Sequence, residues 1–253
     1  MNKTDIKQAV ILAGGRGKRL MPLTNDIPKP LAPINGFPFL DYLIYSILQV
    51  GIKNILILIG YKGNKIFSRY NNLDGINIEF SFGNEKDRTG RRLINSYEKL
   101  EDTFLLVYGD NYWKIELDDM INFYNHKKSL ITTTVFTNKD GTGEYGYKNN
   151  IFVGPDSSVL KYDKKKKTEE ANGVDIGYFI VAKTAIDPNI SLNISFEEDI
   201  LPYYILKNEL SAYITDKQYY YITDISSIKK FEDVTIEFNF HPLPNKYFGD
   251  KNE

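Results

Sequence analysis

The chain has 253 residues, 42% hydrophobic and 26% charged, with a net charge of −1. This balance fits a soluble globular protein and argues against disorder and against a nucleic-acid binder, which carries a basic excess. Cysteine is absent, which excludes disulfides, thiolate catalysis and thiolate metal sites and fits the cytoplasm.

The polar start MNKTDIKQ reads as neither a signal peptide nor a membrane span. AVILA (9–13) is a buried strand, followed by a loop rich in glycine and cations. FPFLDYLIYSILQVG has apolar residues at helical spacing and is closed by Gly51. NILILIG predicts a strand, NKIFSRYN a short helix, INIEFSF a strand and TGRRLINSYEKL a helix. TFLLVYGDN is a strand that ends in an acid; LDDMINFYNHK is a helix and SLITTTVF a strand. Such alternation predicts an α/β fold with a doubly wound, mostly parallel sheet.

The pattern changes after about residue 140. GTGEYGYKNNIFV, SSVLKYDK and VDIGYFIV read as antiparallel strands separated by turn residues. SFEEDILPYYILKN predicts a helix, SAYITD and YYYIT short strands, and SSIKKFED a last helix before a polar tail. The run DKKKKTEE (163–170) reads mostly as an exposed charged turn. The two histidines, His126 and His241, are too far apart in sequence for the usual metal-ligand clusters. No solenoid repeat is present. The expected organisation is one domain over 1–232, with a nucleotide half to about 140 and an antiparallel half over 141–232, followed by a tail over 233–253.

In open α/β sheets ligands bind beyond the carboxyl ends of the strands, where the loop after AVILA falls. Gly14, Gly15 and Gly17 let backbone N–H groups approach an anion, while Arg16, Lys18 and Arg19 add charge. A Walker A loop is excluded, because Leu12 stands where its first glycine belongs and Arg19 where Ser or Thr belongs. A Rossmann fingerprint fails at Leu20.

The stretch LAGGRGKRLMPLT, followed by PKP, resembles the signature L-A-G-G-x-G-x-R-L-x-P-L-T and P-K-P of sugar-1-phosphate nucleotidylyltransferases. The resemblance runs from about residue 8 to 232. It implies a Rossmann-like fold of the nucleotide-diphospho-sugar transferase type with an added antiparallel sugar-binding lobe. It also implies the reaction NTP plus sugar 1-phosphate to NDP-sugar plus pyrophosphate. By the same resemblance, Leu12, Ala13, Gly14, Gly15, Gly17, Glu85 and Gly90 meet the nucleotide. Arg19 meets the leaving pyrophosphate and Lys29 the phosphate being transferred. YGDN (108–111) supplies Asp110 as a Mg²⁺ ligand, and YITDISS (221–227) resembles D-I-G-T and supplies Asp224 as a second. EYGY and VDIGYF resemble the walls of the sugar pocket, which places Tyr145, Gly146, Asp175 and Gly177 there. YDKK sits where the family often has E-K-P, which gives Lys164 to the sugar phosphate. Trp113, just after YGDNY, is expected on the sugar side.

Residue type alone suggests plainer roles. Asp224 or Ser226 would cap the last helix, Asp110 would cap a helix, and Lys29 and Lys164 would be solvated lysines. There are also departures: RTGRR keeps one glycine of G-T-G-G or G-T-A-G and adds Arg91 and Arg92, DISS loses the glycine of D-I-G-T, and Asp163 replaces a glutamate.

The attacking group in such a reaction is a phosphate oxygen, largely anionic near neutral pH, so no general base is required. The obstacle is repulsion between polyanions, which cations and metal-binding carboxylates relieve. The residues YGDNYW and GVDIGYF look most like the heptose 1-phosphate guanylyltransferases of the D-glycero-D-manno type, which serve surface-polysaccharide assembly. Glu85 would then accept from guanine. A thymidylyl- or cytidylyltransferase acting on hexose 1-phosphate or another phosphorylated metabolite is the alternative enzyme. A non-catalytic nucleotide-sugar-binding subunit is the alternative of another class. The expected partners are an NTP and a sugar 1-phosphate, with no nucleic acid and no membrane; a homo-oligomer stays open.

Overall fold

The structure is a computed structural model that describes residues 4–166 and 168–249. Lys167 of the charged turn, residues 1–3 and the end of the tail, 250–253, lie outside the described residues.

The first half alternates as its periodicity predicts. Strand β1 (Gln8–Ala13) leads through short helical turns and a hairpin of β2 (Pro33–Ile34) and β3 (Phe37–Pro38) into helix α1 (Phe39–Gln49). Then come β4 (Asn54–Ile59), α2 (Gly63–Tyr70), β5 (Asn77–Phe82), α3 (Thr89–Asn95), β6 (Thr103–Tyr108), β7 (Asn111–Tyr112), α4 (Leu117–Lys127) and β8 (Ile131–Phe136). The second half holds β9 (Ile151–Val153), β10 (Val159–Tyr162), β11 (Val174–Ala182), α5 (Leu201–Leu206), β12 (Leu210–Thr215), β13 (Tyr220–Tyr221) and α6 (Ile225–Glu237).

Seven strands form one sheet in the order β12-β8-β11-β6-β1-β4-β5. Only β11 runs antiparallel to its neighbours, β6 and β8. β1, β4, β6 and β11 are mainly apolar, β8 adds three threonines, and all five are almost wholly buried because helices cover both faces. β5 is an edge strand, and its residues are intermediate or exposed. Two apolar clusters fill the two faces. One is anchored by Phe39, Trp113 and Phe231, the other by Phe104, Phe179 and Phe196.

Of the strand expected over 141–153, only Ile151–Val153 forms, and residues 141–149 depart from it. Gly141 and Gly146 have positive φ, and the Asn138 side chain accepts from Gly143 N–H and donates to the Gly146 carbonyl. Local side-chain hydrogen bonds thus replace a ladder. The chain after α6 folds back. Leu243 is buried, Phe240 packs on Tyr112 and Phe231, and Asp74 N–H donates to the Tyr247 carbonyl. Among the described residues no helix is long and apolar enough to cross a membrane.

Candidate active site

A cavity of about 360 Å³ opens at the carboxyl ends of β1 and β6. Residues 12–15, Lys29, Asp110, Glu85 and Lys164 are among those that line it. β1 pairs with both β4 and β6, so the glycine loop and Asp110 leave adjacent strand ends.

Lys29 is 9% exposed, and its Nζ donates to Asp110 Oδ2 at 2.6 Å. Pro28 and Pro30 flank it, and a one-turn helix over Lys29–Leu31 fixes the backbone. Gly17 does not line the cavity; it packs under this segment. Its φ is 62°, and a Cβ there would lie 2.8 Å from Lys29 Cβ. The glycine therefore serves both a left-handed turn and the seating of Lys29.

Arg19 points elsewhere. It is exposed, and its Nη1 donates to Glu144 Oε1 at 3.2 Å and to the Tyr145 hydroxyl at 3.1 Å. Glu144 is itself fixed: its carboxylate accepts from Thr223 Oγ1, and its backbone N–H donates to the Tyr219 hydroxyl. Tyr145 thus holds Arg19 outside the cavity, and Gly146 lies in the adjoining turn without lining it.

Glu85 lines the cavity with its carboxylate paired to Arg16, whose guanidinium also lies 5.2 Å from the centre of the Tyr61 ring. Gly90 does not face the cavity. It lies against the backbone of Ile194 and Ser195, where Arg91 N–H donates to the Ile194 carbonyl.

Lys164 Nζ lies 3.6 Å from Glu197 Oε1. Glu197 is 7% exposed and accepts from the hydroxyls of Thr89 and Ser195. Thr89, Ser195 and Glu197 all line the cavity, as do Arg88, Glu198 and Tyr108. The sequence reading missed this wall. Its one local signal was the Ser-Phe-Glu-Glu-Asp run, in which Ser195 caps a turn of π-helix over Phe196–Ile200 ahead of α5.

Asp175 does not reach the cavity. It is 8% exposed, and its carboxylate accepts from Gly177 N–H, Thr133 Oγ1 and the Tyr162 hydroxyl. Burial pushes its carboxyl up to about 6, opposed by those donors. Gly177 marks the register shift in β11 and lies against the Tyr108 ring. Trp113 is fully buried in the core, edge-on to Tyr178, and not on the sugar side.

Asp224 caps α6. Its Oδ1 accepts from Ser227 N–H at 2.8 Å, and Ser227 Oγ accepts from Asp224 N–H in return. Asp224 does not line the cavity, yet β13 pairs with β7 and Ile222 N–H donates to the Asp110 carbonyl, so its segment runs beside Asp110. Among the described residues no cluster of three or more His, Cys, Asp or Glu suits a metal ion.

Comparison with known proteins fits this arrangement. The family model for nucleotidyl transferases matches residues 8–238. The chain belongs to the nucleotidyl transferase family. Its relatives include a D-glycero-alpha-D-manno-heptose 1-phosphate guanylyltransferase of Aneurinibacillus thermoaerophilus, 29% identical over 212 residues that span 83% of this chain and 90% of that one. A probable glucose-1-phosphate cytidylyltransferase of Bacillus subtilis is 26% identical over 257 residues, 92% of this chain and 96% of that one. The crystal structure of HddC from Yersinia pseudotuberculosis complexed with GMP-PN has a TM-score of 0.75 at 24% identity, covering 90% of this chain and 99% of that one. That likeness concerns the fold, a mostly parallel sheet with helices and small antiparallel additions.

Proposed function

We propose that this nucleotidyltransferase joins an NTP to a sugar 1-phosphate and releases pyrophosphate. The favoured pair is GTP with a heptose 1-phosphate, for surface-polysaccharide assembly in the cytoplasm. One observation carries the reading: a single cavity gathers the glycine loop, Lys29, Asp110 and Lys164. Two anionic substrates meeting in one cavity need cations for both, and a phosphate nucleophile needs no base. Lys29 would hold the α-phosphate, Lys164 the sugar phosphate, and Arg19 the pyrophosphate.

The donor set fits Mg²⁺. Asp110 offers hard carboxylate oxygen at the cavity, and Mg²⁺ commonly takes one or two carboxylates and completes its shell with phosphates and water. Asp110 would hold it, with Asp224 as the second carboxylate. When bound, Mg²⁺ supplies charge neutralisation between the phosphates.

The guanine preference rests on Glu85, whose carboxylate would accept from the N–H donors of guanine. The Arg16 guanidinium already engages that carboxylate and competes with this role, which keeps a cytidylyl- or thymidylyltransferase as the alternative. Pyrophosphate release from a grid of the common NTPs against a panel of sugar 1-phosphates decides. A GTP preference that Glu85→Gln abolishes supports guanine reading, and equal kcat/KM for GTP and dTTP overturns it. No release from any pair would leave the non-catalytic nucleotide-sugar-binding subunit.

A further inference from the structure

Arg92 stands at the middle of α3 and is 5% exposed. Its guanidinium reaches three loops at once. Nη1 donates to the Ile59 carbonyl at 2.9 Å, and Nη2 donates to the carbonyls of Asn84 at 2.9 Å and Gly14 at 3.3 Å. These carbonyls stand at or just beyond the ends of β4, β5 and β1, three adjacent parallel strands. Arg92 also lines the cavity.

The surrounding backbone is contoured to it. A Cβ on Gly14 would lie 2.2 Å from Arg92 Cζ, one on Gly60 2.5 Å from both Nη atoms, and one on Gly83 2.8 Å from Nη1. Three glycines in three loops therefore leave room for one side chain. Its charge meets carbonyl dipoles at hand and Asp87 through space, while burial pulls its pKa down. A planar fork of donors suits several fixed carbonyls, and a lysine would not reproduce it.

These three carbonyls converge on a residue that lines the cavity. Without the guanidinium they would present negative dipoles beside an entering anion, and the loops would lose their common anchor. A guanidinium fixed on them removes both faults and leaves positive charge beneath the glycine loop.

We propose that Arg92 is a positioning residue for the nucleoside triphosphate, locking the three strand-end loops that receive it. This rests on the nucleotidyltransferase reading. It goes beyond it by assigning nucleotide affinity to a side chain that the glycine-rich signature does not contain.

The test measures binding of the Mg²⁺ complexes of ATP, GTP, CTP, UTP and dTTP by calorimetry. It compares wild type, Arg92→Ala, Arg92→Lys, Gly60→Ala and the Gly60→Ala/Arg92→Ala double variant, each with its melting curve. For the NTP that wild type binds best, Arg92→Ala should weaken binding at least tenfold, and Arg92→Lys should recover only part. Gly60→Ala should weaken it severalfold in the wild-type background and add nothing once Arg92 is gone. With the fastest NTP and sugar 1-phosphate pair, Arg92→Ala should raise KM for the NTP while KM for the sugar 1-phosphate stays within twofold. Equal rises in both KM values would show general support of the fold and overturn the proposal. So would NTP affinity within twofold of wild type in Arg92→Ala. If Arg92→Ala does not fold, Arg92→Lys and Gly60→Ala decide by the same NTP affinities, and unchanged values in both overturn it. A wild-type chain that binds none of the five NTPs would overturn the underlying reading along with it.

Discussion

Lys29 Nζ and Asp110 Oδ2 stand 2.6 Å apart at the carboxyl ends of β1 and β6. Each neutralises the other. On the proposed reading a magnesium-bound triphosphate would offer each a new partner, Mg²⁺ for the carboxylate and phosphate for the ammonium, so both charges would stay satisfied on binding. Asp110→Asn should therefore keep the fold, since the amide still accepts from Lys29, and should lower kcat by about 10²–10³-fold. Lys29→Ala should cost activity similarly. Pyrophosphate release at saturating magnesium, read beside melting curves, checks both. A near-wild-type rate in Asp110→Asn would remove Asp110 from the metal site.

The pairing of Arg19 with Glu144 and Tyr145 has a different consequence. An arginine that meets pyrophosphate must first leave these partners. Glu144→Gln replaces a charge-assisted hydrogen bond with a weaker neutral one. It should lower KM for the NTP by about two- to fivefold, a modest effect because the ion pair is exposed. Arg19→Lys should lower kcat more than it raises KM, because the fork geometry is lost where charge develops. Steady-state kinetics on the two variants separates the readings. A raised KM in Glu144→Gln would mean that Glu144 holds Arg19 in its working pose.

How much of this the sequence disclosed depends on whether the information was contiguous. The strands and helices up to β8 follow from alternating apolar runs, and α4 coincides with LDDMINFYNHK. The glycine loop, Lys29 and Asp110 belong to short motifs at strand ends, so their meeting was legible. Ser195 and Glu197 come from about a hundred residues beyond Thr89, and only tertiary packing brings them to the same wall. Trp113 and Asp175 misled for another reason. They neighbour motif residues in sequence, but their side chains point into the interior. Residues 141–149 misled because aromatic and glycine alternation imitates a strand, while Asn138 organises turns there.

Asp224 has a cap's geometry, and one carboxylate oxygen carries it. Asp224→Ala should cost ~1 kcal/mol of stability. Ser227→Ala breaks the same capping box from the other side and leaves the carboxylate intact. If Asp224 also binds metal, Asp224→Ala should raise the magnesium concentration needed for half-maximal rate, and Ser227→Ala should not. Identical magnesium curves for the two variants and wild type would leave Asp224 as a cap alone.

Asp175 makes a prediction about pH. Its carboxyl is enclosed behind the cavity, and burial lifts it to about 6 against the pull of Gly177 N–H and the Tyr162 and Thr133 hydroxyls. In the unfolded chain an aspartate titrates near ~3.9. The folded state therefore holds the proton more tightly than the unfolded state between those values. Stability from this group is fully present below about pH 4, falls as pH rises through about 6, and is flat above. A gap of about two pKa units corresponds to ~3 kcal/mol. Asp175→Asn has no proton to lose, and its amide oxygen can still accept from Gly177 and Thr133. The Tyr162 hydroxyl can turn to accept from the amide nitrogen. The unfolding free energy of wild type minus that of Asp175→Asn should therefore drop by ~2–3 kcal/mol between pH 4 and pH 7, in favour of the variant at pH 7. Urea unfolding of both proteins across that range measures the difference, in which the other titrating groups largely cancel. A difference that does not change with pH would mean that Asp175 ionises at its ordinary value in the folded chain, and that its three donors fully offset the cost of burial.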